Sequence, residues 1–324
     1  MTLGASYDDC VFHRRSPRLA FTLIELIVSL VTITLLLSLI LPAIQHSRES
    51  ARRTTCASSL RQLGIAVAEY ASTHNVLPPG SSGGWSVFAS LLPHIEQSAL
   101  YSSVIFSRNA EYDPTIPLVL KTTRLSLLIC PSDSGIDARI PFAPTNYAAN
   151  FGCGVQKYDF NGVFRHWGAL PGYGYGPLNF AAIRDGSSNT AAFSEIVVAT
   201  GESRRFRTVW ELPTALITPN QYAAFASACS ELSTVINGDN DVRGRYWLSG
   251  EIVRTGYTHI LPPNSPNCLN GNYVQHGQYS SGSEHFGGAS IMLLDGRVTF
   301  VSNSIDIDVW RAYGSRDGRE THVP

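Results

Sequence analysis

The 324 residues carry 24 Lys and Arg against 25 Asp and Glu, and a formal net charge of -1 gives no basic footprint for nucleic acid. Charged residues make up only 15% and hydrophobic residues 44%, which excludes a charge-swollen disordered chain and leaves a core to bury. Six cysteines (Cys10, Cys56, Cys130, Cys153, Cys229 and Cys268) include no C-x-x-C pair, so a zinc ribbon or thioredoxin-like motif has no support, and in an exported domain they read as disulfides.

Residues 1–20 are polar and place His13, Arg14, Arg15 and Arg18 just ahead of the apolar run FTLIELIVSLVTITLLLSLIL, residues 21–41. Its single charge is Glu25, and its length matches a hydrocarbon layer of about 30 Å. The flanking arginines predict that residues 1–20 stay in the cytoplasm. A cleaved secretory signal requires a short run ending at an A-x-A-like site, whereas this run ends Leu-Ile-Leu-Pro-Ala. A lipoprotein signal requires a cysteine directly after the run, and the next one is Cys56. A plain anchor leaves a carboxylate in lipid, where such groups have partners, unless Glu25 reaches back to the interface.

The string Arg-Leu-Ala-Phe-Thr-Leu-Ile-Glu-Leu, residues 18–26, resembles the type III signal of type IV prepilins and type II secretion pseudopilins. The resemblance implies cleavage between Ala20 and Phe21 by a prepilin peptidase, methylation of the new Phe21 amine, and Glu25 as fifth residue of the mature chain. Ala20 stands where family members usually have Gly. Pro42 sits where pilin helices often carry a helix-bending proline. Glu25 would pair with the terminal amine of a neighbouring pilin-like subunit, a device that sets register more than it adds stability. The implied location is the cytoplasmic membrane, single-pass, with the C-terminal domain extracytoplasmic and Cys10 lost with the leader.

Beyond Pro42 the pattern stays helical and turns amphipathic, with Ala57, Leu60, Val67 and Tyr70 on one face and Arg48, Arg52, Arg53, Arg61 and Glu69 largely elsewhere. The basic run at 48–53 reads as a solvated helix face. Leu77-Pro78-Pro79-Gly80 predicts a stop near His74-Asn75. From Gly80 on, short apolar runs punctuated by Gly, Pro, Asn and Ser predict antiparallel strands in one domain with long loops. The expected organisation is a leader at 1–20, a helix at 21–75 with 21–41 in the membrane, and a β-rich domain at 76–324. The fold class is α+β: a long helix packed on a large antiparallel β-rich, pilin-like domain.

The best-defined local element is ASIMLLDGRVTFVS, residues 289–302, where Asp295-Gly296 predicts a two-residue hairpin turn. That register pairs Leu293 with Val298 and Ile291 with Phe300; extended, it brings His285 opposite Asp306. His285 followed by Asp295-Gly296 resembles the C-terminal signature of a large prepilin-like family typical of planctomycetes, a domain of unknown function sometimes filed with solute-binding proteins. CASSLRQLGIAVAEY at 56–70, Cys130-Pro131-Ser132-Asp133, Asn146 to Gly152, Ile183 to Thr190 with Glu195, and Leu261 to Cys268 agree with it.

His285 and Asp295 invite an acid–base or metal reading, but Asp295 has sufficient work in the turn and His285 in a cap or a pair with Asp306, so the structural reading is preferred. Asp185 to Thr190 reads as a turn feeding a strand at 191–198, and no G-x-S-x-G elbow accompanies its serines. Asn237, Asp239 and Asp241 alternate oxygen ligands as a weak calcium candidate, without the sixth-position Gly and twelfth-position Glu of a full loop. Trp85, Trp167, Tyr173, Tyr175, Trp210 and Trp247 form either a sugar-binding groove or core; Tyr173 to Gly176 suggests a partner loop. Cys229 with Cys268 is the first disulfide choice and Cys56 with Cys130 the second, with Cys130–Cys153 competing. No cofactor and no enzymatic activity are expected. The expected partners are the prepilin peptidase, pilin-like subunits and membrane lipid, with no nucleic acid; a membrane-anchored solute- or saccharide-binding module is the alternative.

Overall fold

The computed structural model describes residues 22–110, 112–136, 142–154, 160–167, 176–200, 206–212, 221–231, 242–271 and 276–318. Helix α1 (Leu23–His74) is 52 residues long and contains Pro42. It opens with a reciprocal cap. The Thr22 N–H and hydroxyl donate to Glu25 Oε2 at 2.9 and 2.8 Å, and the Glu25 N–H donates to Thr22 Oγ1 at 3.3 Å. Thr-x-x-Glu is a capping box, a use of Glu25 that neither sequence reading of this residue included. The hydroxyls of Ser29, Thr32, Thr34 and Ser38 return to carbonyls of their own helix. The helix ends where the Leu-Pro-Pro-Gly run required: Asn75, at φ +57°, donates its N–H to Ala71 O at 2.9 Å as a left-handed cap.

Two compact units, Met1–Arg48 and Glu49–Pro324, divide the chain within α1. In the first, every Leu, Ile and Val from Leu23 to Ile44 is at least 44% exposed. The segment is long and apolar enough to cross a membrane, by length and composition.

The second unit holds strands β1 (Ser81–Ser82), β2 (Trp85–Ser86), β3 (Tyr147–Gly152), β4 (His166–Trp167), β5 (Ala191–Glu195), β6 (Val209–Glu211), β7 (Gly256–Thr258), β8 (Asn267–Leu269), β9 (Gly277–Gln278), β10 (Gly288–Leu293) and β11 (Val298–Ser302). Short helices α2 (Val87–Leu91), α3 (Ser98–Tyr101), α4 (Leu118–Thr122), α5 (Tyr222–Glu231), α6 (Ile252–Thr255) and α7 (Ile307–Gly314) lie between and after them. The central sheet has the order β11-β10-β5-β3-β7. Its first four strands are antiparallel, as expected, but β7 joins β3 in parallel, and the small sheets β2-β1-β4 and β6-β8-β9 each contain one parallel pair. The domain is therefore mixed.

β3 and β10 are buried along their whole length because both faces of the sheet are covered. Leu60, Leu63 and Val67 of α1 share a core with Tyr147, Ala149, Phe193 and Met292. The alternate residues Ala148, Ile291 and Leu293 share a second core with Trp310 of α7. Of the expected helix stripe, Leu60 and Val67 are buried and Ala57 and Tyr70 half-buried; Cys56, Leu63, Ala66 and Ala71 are buried with them. At Gly64 an added Cβ would lie 3.2 Å from Met292 Sδ and 3.3 Å from Gly296 Cα, so the missing side chain lets helix and hairpin close together.

The hairpin register differs from the expectation by one residue. Met292 pairs with Val298, Ile291 with Thr299 and Ser290 with Phe300. A two-residue type I′ turn requires positive φ at both Asp295 and Gly296, but only Gly296 has it, at +89°. Gly296 N–H donates to Leu293 O and Leu293 N–H to Arg297 O, both at 2.8 Å, which makes a three-residue loop. One residue of slip exchanges the faces, so Met292 and Val298 join the α1 core. Asp306 does not face His285; it caps α7, accepting from the Asp308 and Val309 amides at 2.9 and 3.2 Å.

Candidate functional site

Glu49 and Cys56 lie seven residues apart on α1, two turns along one face. Cys56 forms a disulfide with Cys130, and Cys229 of α5 forms another with Cys268 of β8. Cys153 is in neither; its thiol donates to Arg311 O at 3.3 Å.

The residues that follow Cys130 explain its position. Its N–H donates to Asn146 Oδ1 at 2.9 Å, and Asn146 Nδ2 donates to Asp133 Oδ2 at 2.6 Å. Tyr147 donates its hydroxyl to Cys56 O at 3.2 Å. Burial, then the nearby Glu195 carboxylate, pushes the Tyr147 phenol well up, so it is a neutral hydrogen-bond donor.

His285 lies against this disulfide and is buried. Its Nδ1 bonds the Glu49 carboxylate, and its Nε2 lies 3.8 Å from Cys130 Sγ and 3.6 Å from Glu195 Oε1. Glu195, at the end of β5, is 1% exposed. Oε2 accepts the Ser290 N–H at 2.7 Å, whereas Oε1 has no hydrogen-bond partner. Burial raises the Glu195 carboxyl above its ordinary value, against smaller opposing effects from the Ser290 amide and His285. A ligand atom from each of Cys56, Cys130, Glu195 and His285 lies within 4.8 Å of the others.

Glu284, the residue before His285, enters a different cluster. Arg207, also buried, donates to Asp133 Oδ1 at 2.7 Å, to Glu284 and to Val198 O at 2.6 Å. Asp133 Oδ2 further accepts the Val198 N–H at 2.8 Å. Burial opposes the Arg207 charge, but Asp133 and Glu284 more than offset it and hold the guanidinium above its ordinary value. This cluster is satisfied on every side and reads as structural.

Asp295 is not part of the site. It is exposed in the hairpin, accepting the Arg297 N–H at 2.9 Å and donating its own N–H to Ser187 O. The Asp185 segment binds the C-terminal stretch, with Asp185 Oδ2 accepting from Ser315 Oγ and the Gly318 amide. Trp85, Trp210 and Trp247 are core, which removes them from an aromatic groove; Trp167 is 48% exposed. Ala20, Phe21, Tyr173, Tyr175 and the calcium candidates Asn237, Asp239 and Asp241 lie outside the described residues.

Residues 45–308 match SBP_bac_10, described as "Protein of unknown function (DUF1559)". The chain belongs to the DUF1559 family. Neither a curated protein nor a solved structure matches it. The match begins within α1 and spans the buried Cys56, Cys130, Glu195 and His285 together with the half-exposed Glu49 that bonds His285, so all five belong to the DUF1559 portion. The sequence pairs Cys56 with Cys130 as a disulfide choice but gives no sign that Glu195 and His285, each in a separate motif, converge on that pair, and it does not single out Glu49 or Arg207. The available signal was that separate motif segments each contributed a Cys, His or Glu.

Proposed function

We propose that this DUF1559 chain is a prepilin-like, membrane-anchored subunit of a type II secretion or type IV pilus-like assembly. Residues 21–41 hold it in the cytoplasmic membrane, the prepilin peptidase removes residues 1–20 on the cytoplasmic side, and the domain is extracytoplasmic. Its role is structural, not enzymatic. The observation that carries this reading is the opening of α1: an exposed, predominantly apolar surface from Leu23 to Ile44 whose few hydroxyls bond back to the helix, with one carboxylate at its start. Lipid and neighbouring helices of the same kind suit such a surface, and lateral packing within a membrane suits a subunit better than a lone anchor.

The capping box allows a clean test. Gln serves at the third capping position as Glu does, so Glu25→Gln keeps the cap and removes the charge. Cross-linking in membranes should show lateral complexes with the wild type and their loss with Glu25→Gln at equal membrane abundance. Unchanged complexes would reduce Glu25 to a cap and withdraw its role in assembly.

A further inference from the structure

We propose that Cys56, Cys130, His285 and Glu195 form a zinc site when the disulfide is reduced, so that the disulfide and the metal are alternative cross-links at one buried position. Two thiolates, one imidazole and one carboxylate suit tetrahedral zinc, with bonds of about 2.3 Å to sulfur and about 2.0–2.2 Å to nitrogen and oxygen. The four ligand atoms already lie within 4.8 Å of one another, and opening the S–S bond lets the sulfurs separate towards tetrahedral spacing.

Two further observations point to a ligand at this place. Glu195 Oε1 is a buried carboxylate oxygen without a hydrogen-bond partner, directed towards His285 Nε2 at 3.6 Å. His285 turns Nε2 towards Cys130 Sγ while Nδ1 bonds the Glu49 carboxylate. Metal-bound histidines are held in this way, the outer carboxylate fixing tautomer and ring orientation. The second disulfide has no such surroundings: Cys229 and Cys268 Sγ face the backbone oxygens of Pro266 and Cys229. Among the described residues no other group of three or more His, Cys, Asp or Glu side chains converges this way.

The exchange balances. An external dithiol gives two electrons and two protons to the Cys56–Cys130 bond and closes to its own disulfide, leaving two thiols. Zinc then binds both sulfurs, and the two thiol protons pass to solvent. Either state fastens Cys56 of α1 to Cys130, so a chain folding in a reducing environment keeps the cross-link.

The test uses the full chain in detergent, reduced with a phosphine and titrated with cobalt(II), then zinc(II). The proposal expects one cobalt per chain with tetrahedral visible bands and thiolate charge transfer, displaced by zinc and absent from the oxidised protein. Glu49→Gln, which leaves every ligand in place, should weaken binding about 10- to 100-fold. Glu195→Gln should weaken it at least as much, and Cys229→Ser not at all. A reduced chain that remains folded by circular dichroism and takes up no stoichiometric cobalt overturns the proposal. Binding unchanged by both Glu49→Gln and Glu195→Gln overturns it equally.

Discussion

The two halves of α1 use the same residue types to opposite ends. From Leu23 to Ile44 the helix is apolar on every face apart from Glu25 and a few back-bonded hydroxyls, and its large side chains are exposed; from Cys56 to Ala71 the buried apolar residues form one stripe, with Ile65 left exposed outside it. Leu36 is 56% exposed and Leu63 fully buried. An all-round apolar surface requires a lipid-like medium or other helices, whereas a stripe requires only one sheet. The second half also brings Glu49 and Cys56 to the buried cluster, so one helix carries both a membrane-compatible surface and part of a site.

That contrast can be broken most forcefully at the cross-link. Replacing both Cys56 and Cys130 by Ala opens a constraint across a sequence separation of 74, and domain stability should fall by about 4 kcal/mol in denaturant melts. Leu63→Ala should cost about 3 kcal/mol through the cavity it leaves in the core. Leu36→Ala, chemically identical, should change domain stability by less than about 0.5 kcal/mol. Equal effects of the two leucine substitutions would erase the distinction between the halves.

Acid sharpens the comparison further. His259 is buried against Trp310, with Nδ1 2.8 Å from Trp310 O, and burial lowers its pKa to about 3 from an ordinary 6.5. The unfolded chain binds this proton first as pH falls. The His259 contribution is therefore fully present above pH 6.5 and drains by about 1.4 kcal/mol per unit towards pH 3. The domain should melt at progressively lower temperature over that window while the helical signal of the apolar half persists in detergent. His259→Gln should flatten the slope, and an unchanged slope would place the acid sensitivity elsewhere.

The helix was legible because its signals are local. A 3.6-residue stripe, an apolar run of membrane length and a Leu-Pro-Pro-Gly stop need nothing distant to interpret them. The hairpin was legible as a hairpin and not in its register, since Asp-Gly serves two loop lengths and the backbone at Asp295 decides between them. The buried cluster was not legible as a site. Its Glu49–His285 contact spans 236 residues, and Glu284 and His285, adjacent in the chain, enter different clusters. Sequence displays the residue types of such a constellation without its proximity. The Asp295 turn was readable as a turn because it is local, though its loop length was not, and the His285 site was unreadable because its partners are distant in sequence.

The most direct test of the prepilin reading is the intact mass and N-terminal sequence of the chain extracted from its native membrane. The mature protein should begin at N-methylated Phe21, with residues 1–20 absent. A chain that still begins at Met1 with an unmodified amine would contradict the prepilin reading and leave α1 an ordinary anchor.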